Sequence, residues 1–420
     1  MLRKGSGIRH TGGPARANPS GHIEGERTPH RERLPVREWR GVGMVGGWQL
    51  TASLCFYAVF ASTGFIREGF GLSGFLTGIA VTAVMLGYTV ALAGAGAAVD
   101  AYGERPAMLA GLTLLGVGMV AVAVAPTYPW LLAALVFVGM AYATAMPATN
   151  RAVLVVAPEG RRNIAMNVKQ VGVTAGSGLS ALLVTTAGTN GDWRTGFLVA
   201  AAVAGVVALA FGWDYEGRPG SGVLSFPDVH GLLDVDGYRG LLLAGVFLGA
   251  AVFTTTGYLV VYMQDSTVAA AAGFAGATFA GVQVTGSVGR LAGGAIADRL
   301  PGQADASALV LVAQAVLTGV GFVAVALAGA PVSAAVAFLA LGLFVLGFPG
   351  VYYACLTGLV PDDEVGAATA GGQAAINVGG LLAPPAFGYL ADAIGYAVGW
   401  YALAVVALLA ALSVLPVAKS

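Results

Sequence analysis

From Gly43 onward, apolar runs of roughly 18–25 residues alternate with short polar breaks, the length a helix needs to cross about 30 Å of hydrocarbon. The runs predict membrane spans at 43–65, 74–99, 107–125, 128–150, 164–187 and 196–213, then at 240–263, 271–297, 306–329, 332–357, 365–391 and 396–417. The polar stretch 214–239, with Asp214, Glu216, Arg218, Asp228, Asp234, Asp236 and Arg239, divides these twelve crossings six and six. Residues 1–42 are rich in Gly, Pro, Arg and His and have no apolar periodicity. They cannot bury enough surface to offset chain entropy, and a disordered tail is expected. A full-length span follows the tail, which argues against a secretory signal. An alternative is that synthesis starts at Met44.

Composition agrees with a chain that lives in lipid. Apolar residues make up 57% and charged residues 10%, against about a quarter charged in soluble proteins. The mean hydropathy is +0.79. The net charge of zero hides an uneven distribution: seventeen Lys and Arg fall on the side of the amino terminus and two, Arg67 and Arg194, on the other. By the positive-inside rule both termini are cytoplasmic, and the cell membrane is the expected location. Nine of the seventeen lie in the tail, where they are expected to be solvated, and the bias survives without them. Cys55 and Cys355 sit inside apolar runs and read as small buried hydrophobes. Three of the four His lie in the tail and the fourth is His230, so none is available for a buried relay.

The 64 glycines include many within predicted spans. Small residues let helix backbones approach closely in a bilayer. Gly172, Gly176 and Gly178, then Gly289, Gly293 and Gly294, then Gly371, Gly372, Gly379 and Gly380 are explained by tight packing. A further expectation is that these faces form the moving seam between halves.

One short pattern recurs at the ends of matching apolar runs. The first copy is Gly96-Xaa3-Asp100-Xaa2-Gly103-Xaa-Arg105, the second Gly294-Xaa3-Asp298-Arg299, preceded by Gly289-Arg290. A third echo, Gly388-Xaa3-Asp392-Xaa2-Gly395, closes the eleventh run. With these motifs and the six-plus-six layout, the chain from about residue 43 to its end resembles the major facilitator superfamily. It departs from the family motif at Ala101, where a cation is usual, and at Glu104, where Arg is usual. The resemblance implies two six-helix bundles, here 43–213 and 240–420, joined by a cytoplasmic linker at 214–239. Substrate would bind between them near mid-membrane while they rock to alternate access. It also implies that Gly96, Asp100, Gly103 and Arg105, with Gly294, Asp298 and Arg299, work the cytoplasmic gate. Each Asp would face a helix N-terminus or a nearby Arg. Arg105 and Arg151 are the candidate partners of Asp100; Arg299 and Arg290 those of Asp298. A solvent-facing helix cap is the alternative for each Asp.

Two cations fall inside spans, where an ionisable group needs a reason. Lys169 lies about 10 Å into the fifth span at 1.5 Å per residue, flanked by Asn167 and Gln170. It either offers charge and amide donors to an anion in the central cavity or snorkels to the surface. Arg290, about 12 Å from the end of the eighth span, either shares that cavity or pairs with Asp362, Asp363 or Glu364 at the gate. Gln49, Tyr57, Tyr142, Asn150, Thr256, Tyr258, Gln283, Tyr352 and Tyr353 are further polar candidates along the path. Gln373 and Asn377, four residues apart, share one helix face and are the stronger pair.

No Asp or Glu falls in the middle of a predicted span. A buried carboxylate is the usual proton carrier, and its absence argues against a conventional proton-driven cation exporter. The fifth span also lacks the Gly-Pro element of the family's antiporters, and the fourth lacks an Arg between Trp130 and Asn150. The expected activity is transport of a small organic or inorganic anion, with Lys169 as the main charge and Gln170, Tyr258, Gln373 and Asn377 as further ligands. An exporter of hydrophobic compounds is the runner-up, and a non-transporting receptor on the same fold a remote third. No catalytic triad, metal cluster or phosphate loop is recognisable, so neither an enzyme nor a cofactor is expected. The expected partners are a small-molecule substrate and the bilayer, without nucleic acid, around a monomer.

Overall fold

The computed structural model describes residues 36–159, 161–224, 226, 231–265, 267–300, 303–361 and 364–417, with backbone only at 36–38, 163 and 303–305. The tail before Val36, His230, Asp362 and Asp363 lie outside the described residues. Among those described the regular structure is helical: α1 (Val36–Ala61), α2 (Thr63–Phe70), α3 (Gly74–Tyr102), α4 (Glu104–Ala123), α5 (Tyr128–Tyr142), α6 (Ala145–Val156), α7 (Arg162–Thr189) and α8 (Arg194–Asp214) in the first half. A short 3-10 turn at Gly231–Asp234 precedes α9 (Tyr238–Gln264), α10 (Ala272–Ala297), α11 (Gln303–Ala326), α12 (Pro331–Val345), α13 (Pro349–Gly358), α14 (Val365–Ala393) and α15 (Tyr396–Val414).

Eleven of the resulting helical segments are long and apolar enough to cross a membrane. The twelfth, α10, is 26 residues long; Gln283, Arg290 and its glycines lower its hydropathy. The chain is thus an all-α, multi-pass membrane protein. Helix α1 begins at Val36, before the expected boundary at 43, and Arg40 on its first turns pairs with Asp214 at the end of α8, 2.9 Å away.

The fourth and tenth crossings are each broken in two, α5–α6 and α12–α13. Pro147 and Pro349 lack the N–H that would bond four residues back, so each span restarts at its proline-bearing turn. The breaks fall at corresponding places in the two halves, and their irregular backbone is buried in protein rather than facing lipid: Thr144 packs on Gly111 and Gly347 on Gly289.

Most of the predicted small-residue faces pack within a half. A Cβ at Gly172 would strike the Gly46 carbonyl and one at Gly176 the Leu50 carbonyl, both on α1; one at Gly289 would strike Leu343 on α12. Gly178 instead faces Ala280 on α10 and Gly380 has Met85 of α3 beside it, so these two lie on the seam between halves, together with further glycines. Gly78 lies against the backbone of Pro384 and Pro385 in α14, and Gly388 against the Gly74 carbonyl. Pro385 leaves the Leu381 carbonyl without its helical donor. Thr82 on α3 supplies one from the other half, at 2.7 Å.

Candidate functional site

Helices α1 and α15 define a terminal end of the molecule, where α1 starts and α15 finishes. At the opposite, distal end the halves are joined. The Asp392 carboxylate accepts from the N–H groups of Gly74 and Phe75 at 2.8 and 2.9 Å, capping the first turn of α3. Arg67 donates to the Tyr396 hydroxyl at 2.8 Å, and Tyr258 donates to the Gly74 carbonyl. Midway, Thr174 on α7 and Ser287 on α10 share a hydrogen bond of 2.6 Å. Toward the terminal end the halves part around a cavity of 980 Å³, reached by α3, α6, α13 and α14 and by Phe226, Gly231 and Leu232 of the linker.

Two polar clusters border this cavity, one from each half. On the first, Lys169 is wholly buried. Its Nζ donates to Asn150 Oδ1 at 2.9 Å and to Met146 Sδ at 3.3 Å. Both residues lie on α6, after the break, and line the cavity. A second network lies nearby: Thr149 donates to Gln49 Oε1 at 2.9 Å, Gln49 Nε2 to Ser53 at 3.1 Å, and Ser53 meets the Tyr142 hydroxyl at 3.3 Å. On the second half, Tyr353 donates to Gln373 Oε1 at 2.6 Å and Gln373 Nε2 to Asn377 Oδ1 at 2.9 Å; all three line the cavity.

Arg290 serves the break in the tenth crossing. Its Nε donates at 2.8 Å to the carbonyl of Leu346, which lies between α12 and α13. It stands within electrostatic reach of the Tyr57 and Tyr142 hydroxyls of the first half. Among the described residues it makes no ion pair, and Glu364 is instead an exposed residue of the cavity mouth.

The repeated motif behaves differently in its copies. Asp100 is exposed and borders the cavity with Gly96; Arg151 is its partner at 3.7 Å. Arg105 turns away and donates to the Gly212 carbonyl in the last turn of α8. Gly103 has φ +93° and approaches the Arg218 carbonyl too closely for any Cβ. Asp298 and Arg299 are exposed and, among the described residues, unpaired with each other or with Arg290; Gly294 has open space beside it. The third echo makes the contact expected of the other two, since Asp392 is the acid that faces a helix N-terminus.

Three expected ligands are not among the cavity residues: Lys169 stands behind Asn150 and Met146, and the other two lie elsewhere. Tyr258 is wholly buried in the distal closure, 4.7 Å from the Phe387 ring, because its hydroxyl is taken by Gly74. Gln170 is half-buried and is not among the cavity residues. Sequence reasoning missed the weight of Glu104. It is wholly buried at the start of α4 and accepts from Arg151 Nε at 2.9 Å, the Arg218 N–H at 2.8 Å and the Tyr215 hydroxyl at 3.3 Å. Burial, and then the Glu104 carboxylate, raise the Tyr215 phenol above its ordinary value, so it stays a donor. The departure from the motif at that position was the available signal.

The profile of the Major Facilitator Superfamily matches residues 48–348. The chain belongs to that superfamily. No curated relative matches the sequence. Among solved structures, a bacterial homologue of the human lysosomal transporter Spinster, inward-facing and occupied, is similar at TM-score 0.74 and 14% identity, over 90% of this chain and 96% of that one. The nucleoside transporter NupG gives TM-score 0.75 and 13% identity over 90% and 99%. A POT family transporter in complex with 5-aminolevulinic acid gives 0.72 and 13% over 90% and 95%. At such identities the likeness shows the fold. As a superfamily member, the chain is a membrane transporter of a small molecule, with a cavity between its halves open at one end.

Proposed function

We propose that the protein carries a small organic or inorganic anion across the cell membrane by alternating access, with Lys169 as the counter-charge. The observation that carries this reading is the burial of Lys169 beside the cavity wall with only neutral acceptors, Asn150 Oδ1 and Met146 Sδ. A charge inside a bilayer costs at least about 2.5–3.5 kcal/mol, and a thioether and an amide oxygen offset little of that. An anion in the cavity neutralises it. Arg290 adds a second cation, and no carboxylate competes from the middle of a span among the described residues. With both termini cytoplasmic by charge bias, the cavity opens inward. Asp392 then holds the outer side shut, and Asp100, Arg151, Asp298 and Arg299 close the inner side in the alternate state. The protein acts as a monomer in this scheme, since each half supplies one wall of the site.

Export of hydrophobic compounds is the second reading, favoured by Leu92, Met146, Phe226 and Leu232 among the cavity residues. A thermal-shift screen of purified protein against small solutes, repeated with Lys169→Ala, separates the two. A bound ligand stabilises by about 2.7 kcal/mol at a hundredfold excess over its Kd. Anions that stabilise the parent and not the variant support the first reading. Apolar compounds that shift both proteins alike overturn it in favour of the second.

A further inference from the structure

The donor chain on the second half runs in one direction and stops. The Tyr353 hydroxyl donates a hydrogen bond to Gln373 Oε1, and Gln373 Nε2 donates one to Asn377 Oδ1. Both amide oxygens are thereby engaged. Asn377 Nδ2 is buried, has no partner, and belongs to a residue that lines the cavity. A buried donor left unmade is costly, and native structures seldom keep one without a reason. The two preceding links orient this amide and aim its N–H groups away from Gln373. Across the cavity, Asn150 holds the Lys169 ammonium. The two walls therefore differ in chemistry: the first half holds a positive charge directly behind Asn150 and Met146, and the second carries a neutral N–H donor.

Resting on the reading of Lys169 as the counter-charge, we propose that Asn377 is the second substrate contact and the main determinant of specificity. The transported anion then carries, besides its charged group, an oxygen that accepts a hydrogen bond: a keto or second carboxylate oxygen on a short organic acid. Such a molecule touches both halves at once, whereas a plain monocarboxylate is held by the first alone. Gln373 and Tyr353 are positioning residues, acting through the orientation of the Asn377 amide.

The test is calorimetric titration of the purified full chain with butyrate, 2-oxobutyrate and succinate, for the parent and for Asn377→Leu, Tyr353→Phe and Lys169→Met. The parent is expected to bind 2-oxobutyrate or succinate roughly tenfold more tightly than butyrate, the scale of one well-made hydrogen bond. Asn377→Leu should bring that ligand down to the level of butyrate while leaving butyrate itself unchanged. Tyr353→Phe, which keeps Asn377, should lose part of the same ratio, so the proposal does not hang on the folding of one variant. The second contact is overturned if the parent shows no preference or binds none of the three, or if Asn377→Leu weakens all three equally. If Lys169→Met leaves binding intact while Asn377→Leu erases the preference, the counter-charge reading fails and the second contact stands by itself.

Discussion

Arg151 stands between two carboxylates and is held by the buried one. Its Nε donates to Glu104 at 2.9 Å, while Asp100 stays 3.7 Å away and largely exposed. Glu104 also accepts from the backbone of Arg218, and a further Arg151 nitrogen donates to the Pro219 carbonyl. Ser221 and Gly222 then bond the backbone of Asp100 and Ala101 at 2.8 and 3.0 Å. The segment between the halves is thereby fastened to the turn before α4. Gly220, having no Cβ, lies against the backbone carbonyls of Asp100 and Ala101, the latter being the position where the superfamily usually has a cation.

Replacing Glu104 by Gln keeps an acceptor for Arg218 and Tyr215 but removes the charge that holds Arg151. Losing a charged hydrogen bond at a buried site costs about 1–3 kcal/mol. The expected outcome is a lower melting temperature together with faster cleavage by proteinase K within residues 215–224. Unchanged cleavage would show that the linker is held independently of Glu104.

The distal closure predicts a shift in population. Asp392 caps α3 from the other half, an exposed interaction of about 0.3–1 kcal/mol. Asp392→Asn should therefore raise the distal-open population by roughly two- to fivefold. The readout is the labelling rate of a cysteine placed at Thr82, which lies on the seam. An unaltered rate would leave Tyr258 and Arg67 as the groups that hold that end.

The membrane class and the number of crossings were legible because apolar length is a strong one-dimensional signal, and the positions of Lys169, Gln373 and Asn377 followed from counting along a helix. What periodicity does not carry is azimuth. Gln170 is adjacent to Lys169 in sequence, yet a 100° turn takes it away from the cavity wall. Tyr258 is on an inward face, yet at a depth where the halves have closed. Pro147 and Pro349 held readable information, since their corresponding positions mark the broken crossings that carry Asn150 and Tyr353. Glu104 looked like a weakened motif residue. Its role depends on residues 215–218, brought to it only by the fold.

Arg290 is expected to be hard to replace even by Lys. Its Nε serves the Leu346 carbonyl while the rest of the guanidinium stays free to face the first half, and Lys has no second donor nitrogen to divide these tasks. Arg290→Lys should raise amide hydrogen exchange at 345–350 and weaken anion binding modestly. Unchanged exchange there would show that the break in the tenth crossing is held by packing alone.

Lys169→Met separates a counter-charge from a structural cation. The substitution preserves length and an unbranched stem, and it removes a charge whose cost in a bilayer is about 2.5–3.5 kcal/mol. It also leaves Asn150 Oδ1 without its donor, a loss of about 1–3 kcal/mol. The two terms are comparable, so stability without ligand should change little or rise slightly. Transport of an anion should fall by at least about tenfold, the equivalent of 1.4 kcal/mol. If Lys169 instead held α6 to α7, the order would reverse: the melting temperature would drop while the remaining folded protein transported normally. Measuring melting in detergent and flux in proteoliposomes on the same preparation distinguishes the two.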